Sequence, residues 1–329
     1  MLTLPDSWVW DAWFADDGHR HHVFFLYASR ALHDPEARHH RASVGHAVSD
    51  DLVSWTRVPD ALVRGDHGDW DDLATWTGSV VQHPDGTWFM FYTGVTMTPR
   101  GPLQRVGVAT SDDLVTWHKS SQNPVLEADA RWYERLEAPP HDGAFRDPWV
   151  FPDPDGDGWH MLLTARSATG AFDDRGVVGH ARSPDLRTWH AMPPLTEPGA
   201  GFGHLEVLQL VYVDDEPMLL FSCAPENLSA GRREATGGSG GVWCARADGA
   251  LAPYDLRHAV PLTDMSLYSG RAVRRRDGRW AMLAFLNEGP DGRFVGSVAD
   301  PLDLRRTGRT IAVAVPGPGR HRPGPDLDC

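Results

Sequence analysis

Cysteine is almost missing from this chain. Its 329 residues include three, Cys223, Cys244 and Cys329. That is too few for a disulfide framework, and they read as small buried residues rather than nucleophiles, in keeping with a reducing compartment. Basic residues are also short: 31 Lys and Arg against 45 Asp and Glu leave a net charge of −14. That balance disfavours DNA, RNA or an anionic membrane as partners, since each needs a basic face. No apolar run approaches the ~18 residues of a membrane-spanning helix. The opening MLTLPDSWVW lacks a basic segment followed by an apolar one, so no signal peptide is read and the cytoplasm is the expected location. Sustained helical periodicity is absent as well.

What the chain does have is tryptophan, 14 in all. Most are expected to pack a β-core, yet indole faces also suit sugar rings, and a small neutral carbohydrate fits the charge. The chain also repeats. GHAVSDDLVSW (45–55), GVATSDDLVTW (107–117) and GHARSPDLRTW (179–189) share the pattern G-x-A-x-S-x-D-L-x-x-W, with weaker echoes at 241–251 and 296–304. Short apolar strands precede each copy, most of them entered through an Asp-Gly turn, a strong hairpin signal. Another apolar run lies ahead of those strands. Five such units of roughly 60 residues predict an all-β, five-bladed propeller with four-stranded antiparallel blades. A two-sheet sandwich would leave five equal units unexplained. The propeller is expected over residues 1–315, followed by a Pro/Gly-rich flexible tail over 316–329. The stretches 29–43 and 229–241 read as long mobile surface loops.

In a propeller the first strand of each blade lines the central channel. Three acids open three of these strands: Asp11 in VWDAW, Asp147 in FRDPW and Glu206 in HLEVLQ. Taken singly, each is as well explained as a turn cap. Their equivalent positions predict convergence at one mouth, where crowded carboxylates separate in pKa. Glycosidic cleavage needs such a set: an acid for the leaving oxygen and a carboxylate facing the anomeric carbon. No cofactor or metal site is read. DPDGDG (153–158) resembles part of a calcium loop, but Thr164 stands where that loop needs Glu, so a hairpin turn is expected. The His21/His22 and His39/His40 pairs lack metal-ligand spacing and are expected to face solvent.

These segments resemble the clan of five-bladed propeller glycoside hydrolases acting on β-fructofuranosides, the invertase-type and levansucrase-type families 32 and 68. VWDAW is similar to the levansucrase-type nucleophile motif, which implies Asp11 as nucleophile and Trp13 as a pocket wall. TWTGSVV is similar to a W-S-G-S segment, placing Trp76 and Ser79 near the nucleophile. FRDPW matches an R-D-P motif, so that Asp147 stabilises the oxocarbenium-like transition state with Arg146 beside it. Glu206 falls where the acid/base belongs, His204 stands where levansucrases carry another acid, and Tyr268 of blade five completes the enclosure. The chain departs from both families. The invertase W-M-N-D-P-N run, the E-C and E-R-P contexts of the acid/base, and the appended β-sandwich are all absent. The resemblance implies retaining hydrolysis, or transfer, of fructosides such as sucrose or short fructans. An inverting arabinofuranosidase-type propeller and a non-catalytic sugar-binding propeller are the alternatives.

Overall fold

Each of the five expected hairpins forms. A computed structural model describes residues 1–136, 143–251, 253–308 and 310–314. Blade one comprises β1 (Ser7–Asp16), β2 (His21–Ser29), β3 (Ser43–Ser49) and β4 (Thr56–Leu62). Blade two comprises β5 (Ala74–Gln82), β6 (Trp88–Thr98), β7 (Gly101–Ser111) and β8 (His118–Lys119). Blade three comprises β9 (Phe145–Pro152), β10 (Trp159–Arg166), β11 (Gly176–Ser183) and β12 (His190–Met192). Blade four comprises β13 (Glu206–Val213), β14 (Glu216–Cys223), β15 (Gly241–Arg246) and β16 (Val260–Pro261). Asp-Gly pairs at 17–18, 85–86 and 277–278 turn three of the inner hairpins. The DPDGDG stretch is likewise the β9–β10 turn, closed by Asp153 N donating to Gly158 O at 2.9 Å. In blade four Asp214 and Asp215 do the same work with φ of 51° and 63°, left-handed values that Asp tolerates better than most residues.

Blade five departs from the four-stranded expectation. It has β17 (Leu267–Arg274), β18 (Trp280–Glu288), β19 (Phe294–Val298), β20 (Leu302–Thr307) and β21 (Thr310–Val313), and both β19 and β20 pair with β18. Pro301 lies at the break. It has no N–H to donate to a ladder, so one third strand becomes two. The chain's first residues close the ring: Leu2 N donates to Val298 O at 2.9 Å and Val298 N to Leu2 O at 3.0 Å. Each inner strand, β1, β5, β9, β13 and β17, packs on the next, and β17 returns to β1. Five apolar clusters fill the joints between blades, such as Phe89, Phe91, Met161 and Leu163 between two and three. Among the described residues no helix is long and apolar enough to cross a membrane.

The repeated S-x-D-L-x-x-W segment is the outer corner between third and fourth strands. Asp113 Oδ1 accepts from Val115 N and Thr116 N at 2.8 and 2.7 Å, and Asp185 Oδ1 from Arg187 N and Thr188 N at 2.9 and 2.7 Å. Asp51 repeats the pattern in blade one. The following leucines, Leu52, Leu114 and Leu186, sit at φ of 62–64° and are buried to within 1 %.

Two expected mobile loops are ordered. Residues 29–43 wind into short 3-10 turns, Arg30–Leu32 and Pro35–His40, capped by Ser29 and Asp34. The 229–241 stretch contains α1 (Ala230–Thr236), capped by Ser229 and ended by left-handed Gly237. Side chains hold the first loop down: the Arg38 guanidinium lies 3.9 Å from the Phe294 ring centre and 5.5 Å from that of Trp10. The solvent-facing histidines are also corrected. His21 and His22 are buried, and His22 Nδ1 stands 2.9 Å from His46 Nε2 inside blade one. Of the His39/His40 pair, His40 is exposed and His39 turns inward. The two described cysteines, Cys223 and Cys244, are buried and unpaired; Cys329 and the 316–329 tail lie outside the described residues.

Candidate active site

All five inner strands are interrupted near their start, at the same structural position. Register shifts fall between Trp10 and Ala12, Trp76 and Gly78, Glu206 and Gln209, and Tyr268 and Arg271, and in β9 between Arg146 and Trp149. A bulge adds one residue and re-aims its side chain. Asp11, Asp147, Val207 and Ser269 accordingly take positive φ of 36°, 56°, 56° and 51°, strained values for side-chain-bearing residues. In blade two, Gly78 lets the bulge form: a Cβ there would collide with the Phe91 carbonyl oxygen.

The bulges build two stacked rings around the channel. The upper holds Trp10, Trp76, Arg146, Glu206 and Tyr268; the lower holds Asp11, Thr77, Asp147, Val207 and Ser269. All ten line one cavity of about 910 Å³. Asp11 is gripped from both sides, with Thr77 Oγ1 donating to Oδ2 at 2.5 Å and Ser269 Oγ to Oδ1 at 2.6 Å. Asp147 is 3 % exposed; Thr164 Oγ1 donates to its Oδ2 at 2.8 Å, and Val207 N reaches the same oxygen at 3.3 Å. Arg146 bridges two acids, its Nη2 2.5 Å from Glu206 Oε1 and its Nε 3.5 Å from Asp147 Oδ2. Tyr268 donates its hydroxyl to Glu206 Oε2.

Burial pushes Asp11 up, against the hydrogen bonds of Ser269 and Thr77, and the Glu206 charge adds to the rise. Burial likewise raises Asp147 to about 6; Arg146 opposes this, while Asp11 and Glu206 reinforce it. Burial would lift Glu206 too, but His204 and the Arg146 guanidinium outweigh it and hold the carboxyl at about 2. The free site therefore keeps Glu206 charged and crowds the two aspartates, as like charges in a dry pocket require.

Asp11, Asp147, Glu206, Arg146, Trp76 and Tyr268 thus meet in one pocket. Three expected residues do not line it. Trp13 is fully buried against Phe24 in the joint between blades one and two. The Asp11 bulge shifts the alternation, and Trp10 becomes the wall. Ser79 is 1 % exposed and its Oγ accepts from Val150 N at 3.2 Å, tying blades two and three; Thr77 is the hydroxyl that touches Asp11. His204 sits behind the acid, its Nδ1 3.1 Å from Arg146 Nη2 and 3.8 Å from Glu206 Oε1. The 35–40 turn adds Glu36, Arg38 and His39 to the rim. His39 faces Trp10 and Trp76 edge-on and is pushed down to about 4 by burial and by Arg38. Trp10, Thr77 and Ser269 were within reach of sequence, since each adjoins a segment already singled out. The 35–40 turn lies in a stretch whose sequence reads as a surface loop of the kind that often lines a propeller mouth, without marking any one of its residues.

Fold and pocket together define a five-bladed propeller with an acid-lined site at one mouth of its axis. The family model for the glycosyl hydrolases family 32 N-terminal domain matches residues 13–248, beginning just after Asp11. The chain belongs to that family. Fructan 1-exohydrolase of Hordeum vulgare is 36 % identical over 163 residues, 47 % of this chain and 24 % of that one. The chain covers about a quarter or less of the length of that and of the similar Zea mays beta-fructofuranosidase 1. An extracellular sucrase of Zymomonas mobilis is 24 % identical across 94 % of this chain and 81 % of its own. The same fold recurs in the inulosucrase of Halalkalicoccus jeotgali bound to kestose, with TM-score 0.77, 22 % identity, and coverage of 95 % of this chain and 90 % of that one.

Proposed function

We propose that this protein cleaves β-D-fructofuranosides such as sucrose or short fructans with retention of configuration. One observation carries the reading: Asp11 and Asp147 are the left-handed bulge residues of their strands, Glu206 comes one position before the bulge residue of its own, and all three line the same cavity. That stagger suits a nucleophile beneath the sugar ring and an acid level with the leaving oxygen. The names of the relatives, fructan exohydrolase and sucrase among them, supply the sugar class.

In the first step an Asp11 oxygen bonds to the anomeric carbon, the glycosidic C–O bond breaks, and Glu206 gives its proton to the departing oxygen. Water, or a second sugar hydroxyl, then attacks the anomeric carbon. Glu206 takes its proton and the ester to Asp11 breaks. Thr77 and Ser269 fix the Asp11 carboxylate plane for attack. Asp147 and Arg146 hold ring hydroxyls by charge-assisted hydrogen bonds. Glu206 must first acquire a proton that Arg146 denies it in the free site. Sugar hydroxyls that draw Arg146 off Oε1 remove the opposing charge, and burial then raises the carboxyl. Tyr268 keeps Oε2 occupied throughout, so Oε1 receives the proton. Asp11→Asn is expected to lower kcat on sucrose or kestose by at least about 10⁴-fold in a folded protein. NMR of the wild-type product should show the β-anomer first. Persistent activity in the variant, or an inverted first product, refutes the assignment.

A further inference from the structure

Blade two reaches across to hold the start of β9. Gln104, on β7, is buried and lines the sugar pocket. Its Oε1 accepts from Phe145 N at 3.2 Å and from Arg146 Nη1 at 3.3 Å. On β6, Thr93 Oγ1 accepts from Asp147 N at 2.9 Å. The neighbouring blade thus fixes the Arg146–Asp147 pair, and Gln104 is its side chain that touches the arginine.

Those contacts settle which way the amide points. A backbone N–H and a guanidinium N–H can only donate, so the oxygen of Gln104 must face both. The nitrogen is left on the other side. It meets no acceptor among the described residues, and it is not sealed into the protein interior. A residue present only to tie two blades would need no second polar atom. An amide N–H in a pocket that closes over substrate costs free energy unless it finds an acceptor, and a sugar hydroxyl is one.

The place of that N–H follows from Arg146. Like Glu206, Arg146 stands one position before the left-handed bulge residue of its strand, and its Nη2 meets Glu206 Oε1 at 2.5 Å. One guanidinium carries Gln104 on one arm and the proposed acid on the other. We infer that Gln104 is a specificity-determining residue of the leaving-group side, its Nε2 donating to a hydroxyl of the departing sugar. The inference rests on the hydrolase reading and adds to it a preference for polyhydroxylic leaving groups. Glu206 protonates the oxygen that departs, while Gln104 holds another hydroxyl of the same sugar.

The experiment compares sucrose with methyl β-D-fructofuranoside. Both leaving groups are alkoxides that need the Glu206 proton, but methanol has no further hydroxyl to bind. Gln104→Leu should lower kcat/KM on sucrose about 3- to 10-fold more than on the methyl fructoside, the usual worth of one hydrogen bond. The ratio is read on one preparation, so a partly folded variant gives the same answer. Losing only the tie to Arg146 would slow both substrates alike, and equal losses overturn the inference. Sucrose analogues that each lack one glucosyl hydroxyl carry the test to the wild type. One of them should lose a similar factor there and nothing further in Gln104→Leu. If none loses in the wild type, or if the loss is the same in both proteins, the inference fails. A protein that cleaves neither fructoside refutes the hydrolase reading and this inference with it, an outcome distinct from activity with equal losses.

Discussion

The inner bulges recur in all five blades of this propeller and the Asp-capped outer corners in three, and sequence treats the two features in opposite ways. At the corners the same letters recur because the same turn must be made: Asp51, Asp113 and Asp185 cap the same backbone amides. At the bulges the backbone repeats but the side chains diverge into Asp, Thr, Asp, Val and Ser below and Trp, Trp, Arg, Glu and Tyr above. Repetition of residues marks what one kind of outer turn needs to form. Repetition of backbone with different residues marks what the ring needs to act. Strain follows the same division. The left-handed corner leucines are held by burial, whereas left-handed Asp11 and Asp147 are held by hydrogen bonds across blades, Asp11 to Thr77 and Ser269, Asp147 to Thr93 and Val207.

That contrast breaks most sharply at Glu206. Glu206→Gln keeps shape and the Tyr268 contact but has no proton to give. Cleavage of sucrose should fall by roughly 10²–10⁴-fold, while an aryl fructoside with a good leaving group should lose far less in the first step. Equal losses on both substrates would remove Glu206 from the acid role.

The corners and hairpins were legible because their rules are local: Asp-Gly turns and Asx caps need only a few neighbouring residues. From them came the blade number and the convergence of Asp11, Asp147 and Glu206. Bulges have no such signature, since any residue can be the extra one once its neighbours over-determine it. Hence Trp13 was expected where Trp10 stands, and Ser79 where Thr77 bonds Asp11. His204 looked like a substituted acid and proves to back Arg146 and Glu206. The 29–43 stretch read as mobile because its anchors, Trp10 and Phe294, are distant in sequence.

Asp147 sharpens the comparison by trading stability for charge. Its carboxyl rises from an ordinary 3.8 to about 6 on folding. Between those values the native state binds more protons than the unfolded chain, so stability falls as pH climbs through the window. Above pH 6 the ionised side chain costs on the order of 2–3 kcal/mol. Asp147→Asn keeps an acceptor for Thr164 and has nothing to ionise. Its melting temperature at pH 7.5 should exceed the wild type's by several degrees, shrinking toward zero near pH 4, while activity is lost. A variant no more stable at pH 7.5 would mean that the charge is fully compensated.

The corners should answer in the opposite sense and more weakly. Asp113 holds Val115 N and Thr116 N, and those amides pull its carboxyl down to about 2. A carboxyl depressed in the native state adds stability above its unfolded value of 3.8, and that stability is lost as pH falls toward 2. Asp113→Ala removes the cap and should cost about 1 kcal/mol at neutral pH, the usual worth of such a cap, with kcat unchanged. The three corners lie on different blades, so the losses from Asp51→Ala, Asp113→Ala and Asp185→Ala should add. A triple variant near 3 kcal/mol less stable, but fully active while folded, would place the repeated letters in the scaffold alone. A fall in kcat from any one of them would show that the outer turns reach the channel, and the division between repeated residues and repeated backbone would no longer hold.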